Sequence, residues 1–175
     1  MEDVVEGSAM KALPLMKQMI TQRPKYFNSL EKALEYTLSH SIVKRKDSAI
    51  MSLPSLFTQE GNKFYWRTRL LATSDYWSEW FKGLDEIFLG VNLPKLLILA
   101  DPERLDKELT IGQMQGKFAL KCPMAKTGHH IHEDAPEETR DFLFDFIKSF
   151  RLPLSTQEAR AKLDQGNISF KNRFN

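Results

Sequence analysis

His129 is the side chain of this sequence best suited to moving protons near neutral pH. It follows Gly128 in the run Gly128-His129-His130-Ile131-His132-Glu133-Asp134, and a free imidazole titrates at about pH 6.5. A histidine acting as a general base needs a carboxylate to fix its tautomer and to stabilise the imidazolium that forms. Two aspartates qualify: Asp3, in a strand-like opening Asp3-Val4-Val5, and Asp101, after the apolar run 96–100. The loop also carries metal-ligand residue types in His129, His130, His132, Glu133 and Asp134. These lack the His-Glu-x-x-His spacing that puts two histidines on one helix face, and adjacent loop residues rarely converge on one ion. The expectation is therefore no metal site, with His130 and His132 as loop residues. The single cysteine, Cys122, excludes an internal disulfide and a thiolate metal cluster. It ends a predicted strand and reads as a buried structural thiol rather than a nucleophile.

The elements that must position these groups follow from apolar spacing. Gly7-Ser8-Ala9 reads as a turn into a helix, with Ser8 as N-cap. Met10, Leu13, Met16, Met19 and Ile20 then keep helical spacing, Pro14 interrupts it, and Arg23-Pro24 ends it. Asn28-Ser29-Leu30-Glu31 is a capping box that opens a second helix from Asn28. A third helix, 47–57, is broken at Pro54, and Lys44-Arg45-Lys46 before it reads as a solvated charge run. Gly61-Asn62 marks a turn before one β-rich stretch, 64–68. Trp77, Trp80, Phe81, Leu84, Ile87 and Phe88 recur at helical intervals. They read as a core-facing stripe, or alternatively as the wall of a peptide pocket.

The run 96–100 after Lys95 is continuously apolar, which suits a strand buried on both faces of a parallel sheet. A helix near 105–109, a strand at 117–122, the histidine loop and a last helix from Pro136 follow. Asp134 is placed to cap that helix, and Leu143, Phe146, Ile147 and Phe150 to form its buried face. This alternation predicts an α/β fold with parallel strands flanked by helices. Ligands of such sheets collect at the carboxyl ends of strands, where Asp3, Asp101 and His129 all fall. Beyond Pro153 the chain turns polar, with a weak capping box at Ser155-Thr156-Gln157-Glu158, so a short helix and a frayed tail are expected over 153–175.

Apolar residues make up 42% of the 175 residues, enough for a packed core. A net charge of +2 without a concentrated basic face argues against a nucleic-acid partner. The acidic start has no apolar stretch of signal-peptide type, and no run approaches the roughly 20 apolar residues a membrane helix needs. A soluble intracellular protein, cytoplasmic or nuclear, is the expectation.

Several segments resemble the protein phosphatase methylesterases, a family of α/β-hydrolases. They are Asp3-Val4-Val5-Glu6-Gly7-Ser8-Ala9-Met10, Tyr76-Trp77 with Trp80-Phe81, Pro94–Ala100, Arg104–Phe118, and Gly128-His129-His130-Ile131-His132-Glu133-Asp134-Ala135-Pro136. The resemblance runs from Asp3 to about Phe150 and implies the C-terminal part of an α/β-hydrolase domain over 1–152, with a helical cap-like region over about 8–60. It further implies removal of the methyl ester from the C-terminal leucine of the protein phosphatase 2A catalytic subunit by Ser-His-Asp chemistry, without a cofactor. His129 is then the base and Asp3, ranked above Asp101, the orienting acid. Met114, Gln113, Trp77 and Trp80 are the implied contacts to the phosphatase or its tail. The family's Gly-x-Ser-x-Gly elbow does not occur in this sequence. The expectations are thus a fragment, inactive alone, with apolar surface bared at Val4 and Val5. The alternatives are a non-catalytic phosphatase-binding remnant or a piece of another α/β-hydrolase.

Overall fold

The apolar run after Pro94 becomes the strand on which the parallel sheet is built. The computed structural model describes residues 1–40 and 42–152. In chain order its elements are α1 (Glu6–Gln22), β1 (Tyr26–Phe27), α2 (Leu30–Ser39), α3 (Lys46–Leu56), β2 (Phe57–Glu60), β3 (Lys63–Trp66), α4 (Trp77–Phe81), α5 (Leu84–Gly90), β4 (Leu96–Ile98), α6 (Lys107–Met114), β5 (Ala119–Lys121), α7 (Ile131–Asp134) and α8 (Pro136–Ser149). Two 3-10 turns, Leu70–Tyr76 and Pro102–Arg104, complete the set. The expected tail and the Ser155 capping box lie outside the described residues.

β4 pairs in parallel with β5, Leu97 opposite Leu120, while Glu2 forms a parallel bridge to Ile98. Both faces of β4 are covered, which is why its sequence shows no alternation. Leu97 and Leu99 pack with Val5, Leu109 and Phe118, and Leu96 and Ile98 pack with Ile131, Phe142 and Phe146. Helices α6 and α8 thus flank the strand, and the chain is α/β as its alternation predicts. Val5, expected on a bare edge, is instead fully buried. No helix among the described residues is long and apolar enough to cross a membrane.

A second sheet, antiparallel in the order β1-β3-β2, departs from the single strand expected at 64–68. β1 has two residues, and three of the four in β2 are exposed, so neither carries a readable period. Gly61, at φ +58°, makes the turn between β2 and β3. Phe27, Phe57 and Trp66 cluster over α2 and α3, with Phe57 and Trp66 ring centres 4.6 Å apart.

Several local expectations are corrected. Pro14 and Pro54 lie inside unbroken helices. The carbonyls they leave free belong to Met10 and Ile50, both exposed, so water can take those bonds. Ser8 is not the N-cap of α1; Val5 is, and the Ser8 hydroxyl donates back to the Val5 carbonyl at 3.2 Å. Ser29 rather than Asn28 caps α2, accepting from the Lys32 N–H. The aromatic stripe breaks at Gly83, φ +77°; within α4 Trp77 is buried and Trp80 exposed, and Ile87 in α5 is exposed. In α8, Phe142 and Phe146 face the sheet, whereas Leu143 is 46% exposed. Cys122 sits just past β5, half-buried, and burial pushes its thiol up.

The N-termini of α1, α5 and α6 meet in a knot of three carboxyls. Glu6 accepts from the backbone N–H groups of Gly83 (2.9 Å) and Asp85 (3.2 Å), and Asp85 accepts in return from Glu6 N–H at 3.4 Å. Asp106 accepts from Gly7 N–H and from Leu109 N–H, each at 3.1 Å. Each acid thus fills donors that a helix N-terminus leaves open. A Cβ on Gly7 would lie 3.1 Å from Asp106 Oδ2, so a larger residue there would have to push the Asp106 carboxylate back by a few tenths of an ångström. Burial, together with the neighbouring Asp106, raises the Asp85 carboxyl to about 7. An unfolded aspartate titrates near 3.9, so the folded chain binds the extra proton between about pH 4 and 7, and stability falls as pH rises through that window. Asp85→Asn should raise Tm at pH 8 and change it less at pH 5. Thermal melts at the two values check this, and equal shifts at both would contradict it.

Candidate active site

Asp3 is where the sheet, a turn and the histidine loop meet. Its backbone is pinned first: Asp3 N–H donates to the Ile98 carbonyl at 2.7 Å and Ile98 N–H to Met1 at 3.0 Å. Its φ of +47° lies in the left-handed region, which aspartate tolerates better than most residues. This conformation delivers the side chain to a site where the residue is 5% exposed. Oδ1 accepts from Ala100 N–H at 2.9 Å. Oδ2 accepts from the Arg104 guanidinium at 2.6 Å and lies 2.5 Å from Nδ1 of His129. Burial opposes the charge, but the hydrogen bonds from His129, Ala100 and Arg104 outweigh it and hold the carboxyl below the usual aspartate range. An ionised carboxylate only accepts hydrogen bonds. His129 must therefore present Nδ1–H to Asp3, which leaves Nε2 of the neutral ring with its lone pair free. The His129 side chain is 77% exposed, so Nε2 is open to a proton donor.

Carboxylates also hold the loop that carries His129. Asp134 Oδ2 accepts from Gly128 N–H at 2.7 Å, and its Oδ1 accepts from the N–H groups of Lys44 (2.6 Å) and Arg45 (3.0 Å). Asp134 is thus a tether between loop and α3, and it does not cap α8, whose N-cap position is Ala135. Glu138 accepts from the N–H groups of Met124 and Ala125. Lys44 Nζ donates to the Thr127 carbonyl and Arg45 pairs with Glu137, so the charge run is exposed, as expected, and also docks onto the loop and the start of α8.

Comparison with known proteins finds relatives of the chain. The chain is 45% identical over 145 residues to "Protein phosphatase methylesterase 1" of Schizosaccharomyces pombe, with 82% of the chain and 42% of that protein covered. It is 46% identical over 151 residues to "Probable protein phosphatase methylesterase 1" of Caenorhabditis elegans, covering 86% of the chain and 41% of that protein. The chain is a relative of the protein phosphatase methylesterases. It spans about two-fifths of the length of the curated methylesterases it matches. No family model matches the chain.

Not every residue assigned from methylesterase resemblance lies with His129. Asp101 turns away to accept from Glu103 N–H and cap its own 3-10 turn, leaving Asp3 as the partner of His129. Met114 and Gln113 stand exposed at the end of α6. Trp80 is exposed on α4, whereas Trp77 is 2% exposed and donates its indole N–H to the Thr73 hydroxyl at 3.1 Å. Arg104 carries no sequence signal as a partner of Asp3, because no spacing marks an ion pair across 101 positions. The histidine loop also departs from expectation: residues 131–134 coil into α7, and one donor atom from each of His130, His132 and Glu133 falls within 4.8 Å of the others.

Asp3 has a folded pKa below its unfolded value, so the stability it contributes is present above about pH 4 and lost as pH falls through the folded value. Asp3→Asn should cost about 1.5–3 kcal/mol at pH 7, the range for hydrogen bonds to charged groups. Urea titrations should find the gap from wild type narrowing near pH 3. A gap of the same size at both pH values would count against the charged network.

Proposed function

We propose that residues 1–152 are the acid- and base-bearing part of an α/β-hydrolase domain, with the region 8–60 as a helical cap. In this reading the whole protein removes the methyl ester from the C-terminal leucine of the protein phosphatase 2A catalytic subunit. The observation that carries the proposal is the charged Asp3 hydrogen-bonded to Nδ1 of His129 with Nε2 left open. The names of the relatives support the ester and the phosphatase, and an intracellular setting, cytoplasmic or nuclear, goes with them.

In the proposed mechanism a serine Oγ, from a Gly-x-Ser-x-Gly elbow outside this sequence, gives its proton to Nε2 of His129 and attacks the ester carbonyl. Asp3, held ionised by Arg104 and the Ala100 N–H, stabilises the imidazolium. The imidazolium returns the proton to the departing methoxide, and methanol leaves. Water then repeats the cycle on the acyl-enzyme and releases the free leucine carboxylate. Met114 and Gln113, exposed on α6, suit contact with the phosphatase, and the exposed Trp80 suits its tail. Trp77 serves the same wall from within.

A second reading, a phosphatase-binding module without turnover, is favoured by the lack of a Gly-x-Ser-x-Gly in these 175 residues. Methanol release from a methylated leucine-ending peptide separates the two. The chain alone should stay at background. Joined to the serine-bearing segment of a relative, it should turn over. In that fusion His129→Ala or Asp3→Asn should lower kcat by roughly 10⁴-fold. A folded but inactive fusion that still binds the phosphatase would favour the binding module.

A further inference from the structure

The loop that carries His129 holds a second group of side chains that the proposed mechanism does not use. Nδ1 of His130 and Nε2 of His132 each lie 3.9 Å from Oε1 of Glu133. One donor atom from each of the three lies within 4.8 Å of the other two. A tetrahedral zinc shell sets its ligands about 3.3 Å apart, given metal–ligand bonds of about 2.0–2.1 Å. Small rotations of exposed imidazoles close that difference.

Two further observations point to an ion. Nδ1 of His132 and its backbone N–H both approach Oε1 of Glu2, at 2.7 Å and 3.1 Å. With Glu2 ionised, the ring proton sits on Nδ1 and the lone pair on Nε2 is directed to the cluster. A carboxylate behind the distal nitrogen is the arrangement that orients metal-binding histidines and raises their basicity. Glu2 is itself fixed by its bridge to Ile98. Oε2 of Glu133 is buried and has no hydrogen-bond partner among the described residues, a costly state for a carboxylate oxygen unless a cation offsets it.

We infer that His130, His132 and Glu133 form a site for a divalent transition metal of the zinc class, with Glu2 as the positioning carboxylate of His132. Two imidazoles and one carboxylate are a borderline donor set that favours zinc over magnesium or calcium. The half-exposed histidines leave at least one coordination position open to water or to a ligand from a partner. His129 takes no part, because the group of donor atoms that lie within 4.8 Å of one another holds only His130, His132 and Glu133. Ligation pins the α7 turn next to His129 and so stiffens the loop.

The test is titration of the 175-residue chain with zinc chloride by calorimetry, followed by thermal melts with one equivalent of zinc. Saturation near one equivalent and a raised Tm are expected. His132→Ala and Glu133→Gln should each weaken binding by roughly tenfold or more and abolish the Tm rise, and Glu2→Gln should weaken it by about tenfold. His129→Ala and His40→Ala should bind as the wild type does. The site would be refuted by absence of saturable binding, by unchanged affinity in His132→Ala and Glu133→Gln, or by loss of binding in His129→Ala. Cobalt(II) absorption supplies an independent reading: the visible bands of a low-coordinate ion should appear with the wild type and not with His132→Ala, and bands of equal strength in both would equally refute it.

Discussion

A buried carboxylate must be held by donors or give up its charge, and Asp3 keeps its charge because three donors converge on it. Each comes from a different place in the fold: the Ala100 N–H from the end of the central strand, the guanidinium of Arg104 from the following turn, and Nδ1–H from the histidine loop. The first residues must therefore lie along β4, and the bonds of Met1 and Asp3 to Ile98 put them there. The left-handed backbone at Asp3 is the local strain that this convergence requires.

The same device recurs across the molecule. Loops and helix starts rich in unpaired N–H groups are held by acids from other elements: Asp134 and Glu138 on the histidine loop, Glu6 on the start of α5, and Asp85 and Asp106 on the start of α1. Glu2 and Asp3, successive residues of one extended segment, grip His132 and His129 respectively. The base and the metal-ligand cluster are therefore positioned by the same few residues, although they use different histidines.

Much of this was legible in the sequence, but unevenly. The double-sided burial of β4 shows as an unbroken apolar run, and His129 is marked by its glycine-led loop after a strand. Spacing alone left Asp3 and Asp101 equal, since each follows a strand-like stretch. The difference is that Asp101 caps the turn beside it, whereas Asp3 reaches across the fold. Arg104, the carboxyl knot and the docking of Lys44 and Arg45 were not legible, because each depends on partners about 80 to 100 positions away. The antiparallel sheet escaped for another reason: strands of two to four residues are too short to display a period. Pro54, read as a break, lies inside α3, where the Ile50 carbonyl it frees is open to water.

If Asp3 sets the tautomer of His129, nitrogen NMR of the imidazole reads it out. Long-range proton–nitrogen spectra of the chain, taken at a pH where the ring is neutral, distinguish a protonated from a bare ring nitrogen. The expected result is the proton on Nδ1 of His129, a bare Nε2, and loss of that preference in Asp3→Asn. A wild-type His129 with its proton on Nε2, or a tautomer unchanged by Asp3→Asn, would contradict it.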